Sequence, residues 1–398
     1  VQPLEKGGII LELTFDALFV GAGYAGAVCA RQLAEGGKRV LVLERRDHIG
    51  GNAYDRLDGA GVLIHQYGPH IFHTNNKRVF DWLSRFTVWR DYQHRVLANL
   101  PDGQGGRQTY PVPFNLTSLE TAFGPAEGAR LGEKLIAAYG AEKKVTILEL
   151  RQARDPEIAA LADYVYEHVF VHYTMKQWGQ TPEEIDPNTT ARVPVFLSRD
   201  DRYFQDAYQG MPLEGYTVLF QRMLDHPGIT VELGTDALKR LDLSEGRICL
   251  DGAEFSGPVI YTGQADELFA FRFGPLPYRT LDFRFETLEQ DDFQGCGTVN
   301  YTVDEDYTRI TEFKHLTGQV KPGVTTIVKE YSRAFTGAPG ETPYYAIINP
   351  ENDRRYAQYR TEAERFPNLH LLGRLAEYKY YNMDAIAARA LELAGLLT

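Results

Sequence analysis

Apolar and polar positions alternate along the chain in a way that separates short buried strands from one long helical stripe. Apolar runs at residues 17–20, 39–44, 229–233, 259–262 and 370–372 read as strands. Between the first two, Val28, Ala30, Leu33 and Ala34 place small and apolar groups largely on one side, as a helix requires. Strand, helix and strand in that order predict a parallel βαβ unit. The other three runs lie far downstream, so the domain they complete is expected to be discontinuous, with other domains inserted into it. Residues 156–173 carry the clearest helical period. Ile158, Leu161, Ala162, Val165, Tyr166, Val169, Phe170 and Tyr173 follow the i, i+3, i+4, i+7 rule, with Asp155 suited to the N-cap and Pro156 to the first turn. Residues 129–139 predict a weaker helix. Residues 279–285, 298–302, 308–313, 325–330 and 344–348 predict strands. The picture is a helical insertion and an antiparallel-sheet insertion, with no internal repeat and no low-complexity tract.

Composition narrows the class. A chain of 398 residues suggests two or three domains. No apolar run is long enough to span a bilayer. Residues 17–30 lack charge, but their glycines and strand–turn–helix pattern argue against a signal-peptide core. A formal charge of −12 argues against general nucleic-acid binding, and an anionic small-molecule substrate would need local arginines working against that field. Cys29, Cys249 and Cys296 are odd in number and far apart, which points to a reducing cytoplasm with neither a disulfide framework nor zinc spacing.

The chemistry starts at Gly21-x-Gly23-x-x-Gly26, which directly follows the first strand and opens the helix. The first glycine serves a tight turn, the second lets backbone approach a pyrophosphate, and the third lets helix pack on strand. The helix N-terminus directs partial positive charge at phosphates. Glu44, ending the second strand, lies where a carboxylate meets adenosine ribose hydroxyls. A nicotinamide-binding Rossmann domain, or such a fold without cofactor, remains open on these residues alone. Gly50-Gly51 just beyond, the strand-and-turn at 259–263, and Gly373-Arg374 before a helix from about Ala385 extend the pattern. Together they resemble the FAD fingerprint of glutathione-reductase-like and amine-oxidase-like flavoproteins.

Four further blocks resemble the UDP-galactopyranose mutase family: residues 68–74 (GPHIFHT), 173–179 (YTMKQWG), 201–210 with Asp201-Arg202-Tyr203-Phe204 and Tyr208-Gln209-Gly210, and 373–384. With the fingerprint, the resemblance covers the chain from about Phe15. It implies a discontinuous Rossmann-like FAD-binding domain (1–85, 211–275 and 365–398), a helical domain with a mobile lid (114–192), and an antiparallel-sheet substrate domain (86–113, 193–210 and 276–364). It implies an isomerase that interconverts UDP-galactopyranose and UDP-galactofuranose through a covalent adduct of reduced-flavin N5 with the sugar. The reaction is redox-neutral overall yet needs reduced FAD, with NADPH, NADH or another reductant as supplier. The cofactor carries the covalent chemistry, which suits a sequence lacking a Ser–His–Asp-like constellation. A cytoplasmic homo-oligomer, with neither nucleic acid nor membrane as partner, is expected.

The resemblance also implies roles for residues. Arg192 in TTARVP is the mobile-loop arginine and Arg309 in DYTRITEFKH its fixed partner on the diphosphate, guanidinium being a rigid fork for phosphate oxygens. The default for either arginine is a surface ion pair. Tyr173, Tyr203, Tyr345 and Tyr380 would hydrogen-bond the diphosphate, although Tyr173 also continues the helix stripe and reads equally as core. Trp178 would lie near substrate or serve as a packing anchor, and Phe170 would line the uracil pocket or the core. His70 would act beside the isoalloxazine; His70 and His73 form an HxxH pair, but no companion ligands suggest a metal. Tyr24, Ala25, Arg45, Gly51, Asn52, His73, Gly373, Arg374 and Met383 would join Gly21, Gly23, Gly26 and Glu44 in holding FAD. Asn382 stands among the substrate contacts where Asp is expected in many relatives. It keeps an oxygen acceptor but loses the charge, which weakens any mechanism needing an acid there and leaves room for a related nucleotide sugar. About a dozen residues before the first strand have no assigned role. The rival readings are an FAD amine or protoporphyrinogen-type oxidase and a non-catalytic flavin- or nucleotide-sugar-binding protein.

Overall fold

Ala17–Val20 (ALFV) and Val40–Leu43 (VLVL) are apolar on both faces, so both faces need cover. In the computed structural model they occupy the middle of a five-stranded sheet in the order Ile229–Glu232, Val40–Leu43, Ala17–Val20, Val259–Tyr261, Leu369–Leu371. All four pairings are parallel. These are the five apolar runs read from the sequence, each displaced by no more than a residue or two. The structure describes residues 15–102, 105–179 and 194–398. The sheet belongs to the first of two units, Val1–Tyr54, Thr217–Leu276 and Asp353–Thr398, so this unit is discontinuous as expected. Helix Tyr24–Glu35 packs on the C-terminal helix Met383–Leu397, which starts two residues earlier than its sequence pattern suggested.

The second unit, Asp55–Tyr216 and Pro277–Asn352, holds a seven-stranded sheet. Its order is Tyr345–Ala346, Tyr278–Leu288, Thr325–Ala334, Arg309–Glu312, Thr298–Tyr301, Val96–Pro101, Arg107–Val112. Every pairing is antiparallel except that of Thr298–Tyr301 with Val96–Pro101. Helices Leu116–Phe123, Pro125–Tyr139 and Pro156–Val165 share one core with this sheet, where Leu131, Leu135, Ile158, Leu161 and Val165 meet Val96, Ala98 and Tyr110. Asp155 caps as its sequence position suggests, accepting hydrogen bonds from the Glu157 and Ile158 amides.

The long helical stripe is interrupted. Residues Tyr166–Val171 form a π-helical segment before the α-helix resumes at His172–Trp178. A π turn takes an extra residue per turn and rotates the side chains beyond it about the helix axis. Among the described side chains after it, Thr174 and Gln177 are buried and Tyr173 comes out half-buried. Among the described residues the three cysteines are free thiols, and no helix is long and apolar enough to cross a membrane.

Candidate active site

In the first unit the glycines make room for backbone to approach a ligand. Gly21 has φ +107°, and a Cβ there would strike the Thr262 hydroxyl, which donates to the Val20 carbonyl at 2.7 Å. A Cβ on Gly26 would strike the Gly21 carbonyl oxygen, so only glycine lets the helix close on this turn. The Gly50 amide donates to the Ala22 carbonyl, folding Gly50-Gly51 over the turn, and a Cβ on Gly51 would lie 3.0 Å from the Gly23 Cα. Gly373 approaches from the other end of the chain, its Cβ position 3.2 Å from the Ala25 methyl. N-cap Gly23 brings no side chain to the helix N-terminus, whose first amides are the groups that bind phosphates. Glu44 is buried, with one oxygen accepting from the Ala22 amide at 2.8 Å and the other from the Arg46 amide at 2.9 Å. Each carboxylate oxygen has a second lone pair for a ribose hydroxyl. A cradle that side chains would fill, beside a fixed carboxylate, fits a dinucleotide.

Other predicted residues of this unit surround the same turns or the start of the last helix. Tyr24 packs edge-on against Phe220, ring centroids 4.9 Å apart. Asn52 accepts from Arg46 Nη2 at 2.9 Å, whereas Arg45 points to an exposed ion pair with Glu267. Arg374 donates to the Tyr381 carbonyl at 2.6 Å and lies over the Tyr380 ring at 4.6 Å. Asn382 is the N-cap of the helix that Met383 begins, and its side chain makes no capping bond.

In the second unit the centre is Arg309. It lies directly opposite Glu330 in the ladder between Arg309–Glu312 and Thr325–Ala334, so both side chains share a face. Its Nε donates to Glu330 Oε1 at 2.7 Å, and its Nη groups have no hydrogen-bond partner among the described residues. Glu330 is fully buried and Arg309 retains 24% of its side-chain exposure. Burial alone would lower the Arg309 pKa, but Glu330, with Tyr173 and Tyr345 nearby, more than reverses it, so the guanidinium is a fixed cation. Burial raises the Tyr173 hydroxyl, although Arg309 opposes this, so Tyr173 remains a neutral donor. Tyr203 and Tyr345 also lie close enough to perturb Tyr173. The structure therefore brings Tyr173, Tyr203, Arg309 and Tyr345 together.

The helix carrying Tyr173 is fastened at its C-terminus. Arg279 donates to the carbonyls of Gln177 at 3.2 Å and Lys176 at 3.0 Å, and Ser332 Oγ donates to the Gln177 carbonyl at 2.7 Å. Lys176 Nζ donates to the carbonyls of Tyr301 and Glu305. The Arg279 and Ser332 bonds satisfy carbonyls that the helix end leaves open, and the Arg279 cation opposes its negative pole, while Lys176 ties the helix to the loop after Thr298–Tyr301. Gly179 ends the helix at φ +67°. Phe170 is 6% exposed and packed in the shared core.

The two histidines of GPHIFHT have separate surroundings. His70 Nδ1–H donates to the Gly68 carbonyl at 2.8 Å, and its amide donates to His65 Nδ1 at 3.0 Å. His73 pairs with Asp206 at 2.5 Å and stacks on Phe204, centroids 3.5 Å apart. Arg192 lies outside the described residues, as do the other residues of 180–193. Sequence reasoning missed Glu330, Arg279, His65 and Asp206. It also missed a cluster of Asp292, Glu312 and His315, whose ligand atoms lie within 4.8 Å of one another. Glu312 there is occupied by the amides of Phe293 and Gln294 and the Thr325 hydroxyl. Strand alternation at 308–313 and 325–330 was the one available signal for Glu330.

Comparison with known proteins places these features in a family. Residues 168–380 match the model for UDP-galactopyranose mutase, and residues 20–86 match that for an NAD(P)-binding Rossmann-like domain. A dTDP-fucopyranose mutase of Escherichia coli is 36% identical over 382 residues, 95% of this chain and 97% of that protein. A UDP-galactopyranose mutase of Mycoplasma pneumoniae is 36% identical over 388 residues, 96% of each chain. The fold is that of a reduced UDP-galactopyranose mutase crystal structure, at TM-score 0.69 and 16% identity over 96% of this chain and 93% of that one. A putrescine oxidase variant shares it at TM-score 0.60 and 13% identity, covering 96% and 98%.

Proposed function

The chain belongs to the UDP-galactopyranose mutase family, and on that premise we propose that it interconverts UDP-galactopyranose and UDP-galactofuranose, with FAD bound in its reduced form. The observation that carries this reading is the Arg309 guanidinium, tied through Nε to buried Glu330 with its Nη groups uncommitted and Tyr173 beside it. That is the donor set a diphosphate needs. Arg309 and the hydroxyls of Tyr173, Tyr203 and Tyr345 bind the diphosphate and stabilise the charge that grows on departing UDP. By the family resemblance Tyr380, Trp178 and Asn382 are further substrate contacts and Arg192 a second guanidinium, while Phe170, packed in the core, would reach the uracil pocket only by its edge. The cradle of Gly21, Gly23, Gly26, Gly51 and Gly373 takes the FAD pyrophosphate, and Glu44 the ribose. Reduced FAD would supply a nucleophilic N5 for the anomeric carbon, so no protein nucleophile is required. His70 would influence flavin N5 and its surroundings. NADPH or NADH supplies the electrons, and the protein works as a cytoplasmic homo-oligomer.

The test is incubation with UDP-galactofuranose, with and without dithionite. Isomerisation only after reduction is expected. Oxygen consumption with oxidised product points to an amine-oxidase-like activity, and binding without conversion to a non-catalytic protein; either result overturns the proposal. A second substrate, dTDP-fucopyranose, is favoured by one observation. The Escherichia coli relative with that name matches this chain as well as the Mycoplasma mutase does, at 36% identity. Parallel turnover of both nucleotide sugars decides between them.

A further inference from the structure

The turn that carries His70 is held by a residue outside the family blocks. His65 ends the strand Leu63–His65, opposite Asp55 in a two-stranded ladder. It is 1% exposed. Tyr216 meets its ring edge-on at 5.6 Å, and Phe313 lies at 5.8 Å between centroids. The Asp55 carboxylate is engaged by the Tyr216 amide at 2.6 Å, which fixes this wall of the enclosure. His65 Nδ1 receives the His70 amide at 3.0 Å. A backbone amide can only donate, so Nδ1 carries the lone pair and the ring proton sits on Nε2. His70 in turn donates from its own Nδ1 to the Gly68 carbonyl. Gly68 has φ +86°, and a Cβ there would lie 3.0 Å from Phe283 and 3.8 Å from Glu330 Oε1. Phe283 faces Glu330 across one ladder, and Glu330 faces Arg309 across the next.

We propose that His65 is a positioning residue: its Nδ1 lone pair fixes the backbone of His70 and, through the Gly68 turn, sets His70 in register with the strand row that carries Glu330 and Arg309. The bland alternative is a core histidine whose bond to a nearby amide serves stability alone. The chemistry favours positioning. The acceptor is one atom on a rigid, enclosed ring, and burial holds its pKa down at about 4, so the lone pair persists through the neutral range. A shift of about 1 Å in a group beside the reacting centre costs up to ~100-fold in rate. The functional part rests on the mutase reading of His70; the backbone part does not.

Three variants of the full chain separate the readings. His65→Asn places an amide oxygen where Nδ1 lies. His65→Gln places it nearer the Nε2 position, and His65→Leu removes it. Hydrogen exchange of the His70 amide is measured in each, alongside FAD content, the flavin absorption spectrum, and kcat and KM for UDP-galactofuranose. The expected result is fast exchange in the Gln and Leu variants and near-native protection in the Asn variant. With FAD content retained, kcat falls at least ~10-fold in the first two while KM stays within about twofold, the flavin spectrum shifts, and Asn restores both. Unchanged His70 exchange in His65→Gln or His65→Leu overturns the hydrogen bond. Fast exchange with unaltered turnover and spectrum overturns positioning and leaves a stabilising residue. Equal damage in Asn, Gln and Leu also overturns it. If the wild-type protein fails to isomerise the sugar, the mutase reading falls, while the exchange pattern still reports on His65.

Discussion

Removing the carboxylate of Glu330 tests whether the Arg309 guanidinium is held as the structure indicates. Glu330 has no side-chain exposure and one charge-assisted bond, 2.7 Å from Arg309 Nε. Its Oε2 is buried without a hydrogen-bond partner among the described residues. Two effects oppose one another in Glu330→Ala. The unpartnered oxygen disappears, which relieves about 1–3 kcal/mol. The guanidinium loses its only counter-ion among the described residues, and breaking a buried pair from one side costs about 3–5 kcal/mol net in comparable sites. Arg309 retains 24% exposure, so solvent reaches part of it and the low end, about 3 kcal/mol, is the expected loss. At ~2–4 °C per kcal/mol for a domain of this size, the melting temperature falls by about 6–12 °C. Glu330→Gln keeps an oxygen for Nε and loses only the charge, so it costs about half as much. The assay is thermal unfolding of FAD-loaded protein with UDP affinity measured in parallel. Ordering of the losses as Ala above Gln above wild type, with UDP binding weakened in the same order, is expected. A Glu330→Ala protein that melts within ~1 °C of wild type and binds UDP normally refutes the argument.

Four other substitutions or conditions have defined outcomes. Arg192→Lys keeps the charge and loses the fork, so activity falls strongly with FAD still bound; wild-type turnover rejects the role of Arg192. Gly23→Ala is sterically tolerable, its Cβ 3.5 Å from the Gly51 Cα and its φ at −83°, so the variant folds but loses FAD, which the flavin absorbance of purified protein reports. Gly179→Ala forces alanine to φ +67° with a Cβ 2.7 Å from Arg279 Nη1, costing about 1–3 kcal/mol in urea unfolding, and an unmoved midpoint rejects the crowding. Burial lowers the His65 pKa from 6.5 to about 4; burial, with Arg309 and His73 nearby, lowers His94 to about 3. The unfolded chain therefore takes up protons first as pH falls below 6.5, and stability drops by about 2 kcal/mol per histidine at pH 5 relative to pH 7.5, where a flat urea midpoint refutes it.

The nucleotide cradle of the first unit and the Arg309 cluster of the second were unequally legible in the sequence, for a physical reason. The nucleotide cradle depends on missing side chains at fixed local spacing, and a missing side chain is visible in a sequence. Gly21, Gly23 and Gly26 lie within one turn, and the strands beside them are continuous apolar runs because both faces are covered. The Arg309 site depends on register. Alternation places Arg309 and Glu330 on a face of their own strands, but only the pairing of Arg309–Glu312 with Thr325–Ala334 sets one opposite the other. The bond from His73 to Asp206 spans 133 positions and has no local signature at all. The π segment at Tyr166–Val171 was hidden differently. Past it the buried positions among the described side chains are polar, Thr174 and Gln177, while apolar-faced Tyr173 continues the old period and conceals the slip. A reading by hydrophobicity follows the tyrosine and assigns it to the core. The hydrogen-bond pattern instead leaves it half-buried near Arg309.

This division also bears on substrate choice. The glycine turns and Glu44 meet a ligand through backbone clearance and one carboxylate, and such a cradle recognises a pyrophosphate and a ribose whatever sugar is being turned over. Arg309 with Tyr173 and Tyr345 offers a cation and phenols, which suit a diphosphate and are indifferent to whether uridine or thymidine carries it. Under the proposed roles both groups are spent on cofactor and diphosphate, which galactose and 6-deoxygalactose nucleotides share. A polar group built to pair with a hydroxyl rejects the analogue lacking it far more strongly than an apolar pocket rejects an added one. In the proposed reading, discrimination would fall to positions such as Asn382, whose amide makes no bond to cap its own helix. Two relatives with different substrate names and equal 36% identity are compatible with that proposal, in which cofactor and diphosphate are held by common residues and the sugar is read by few.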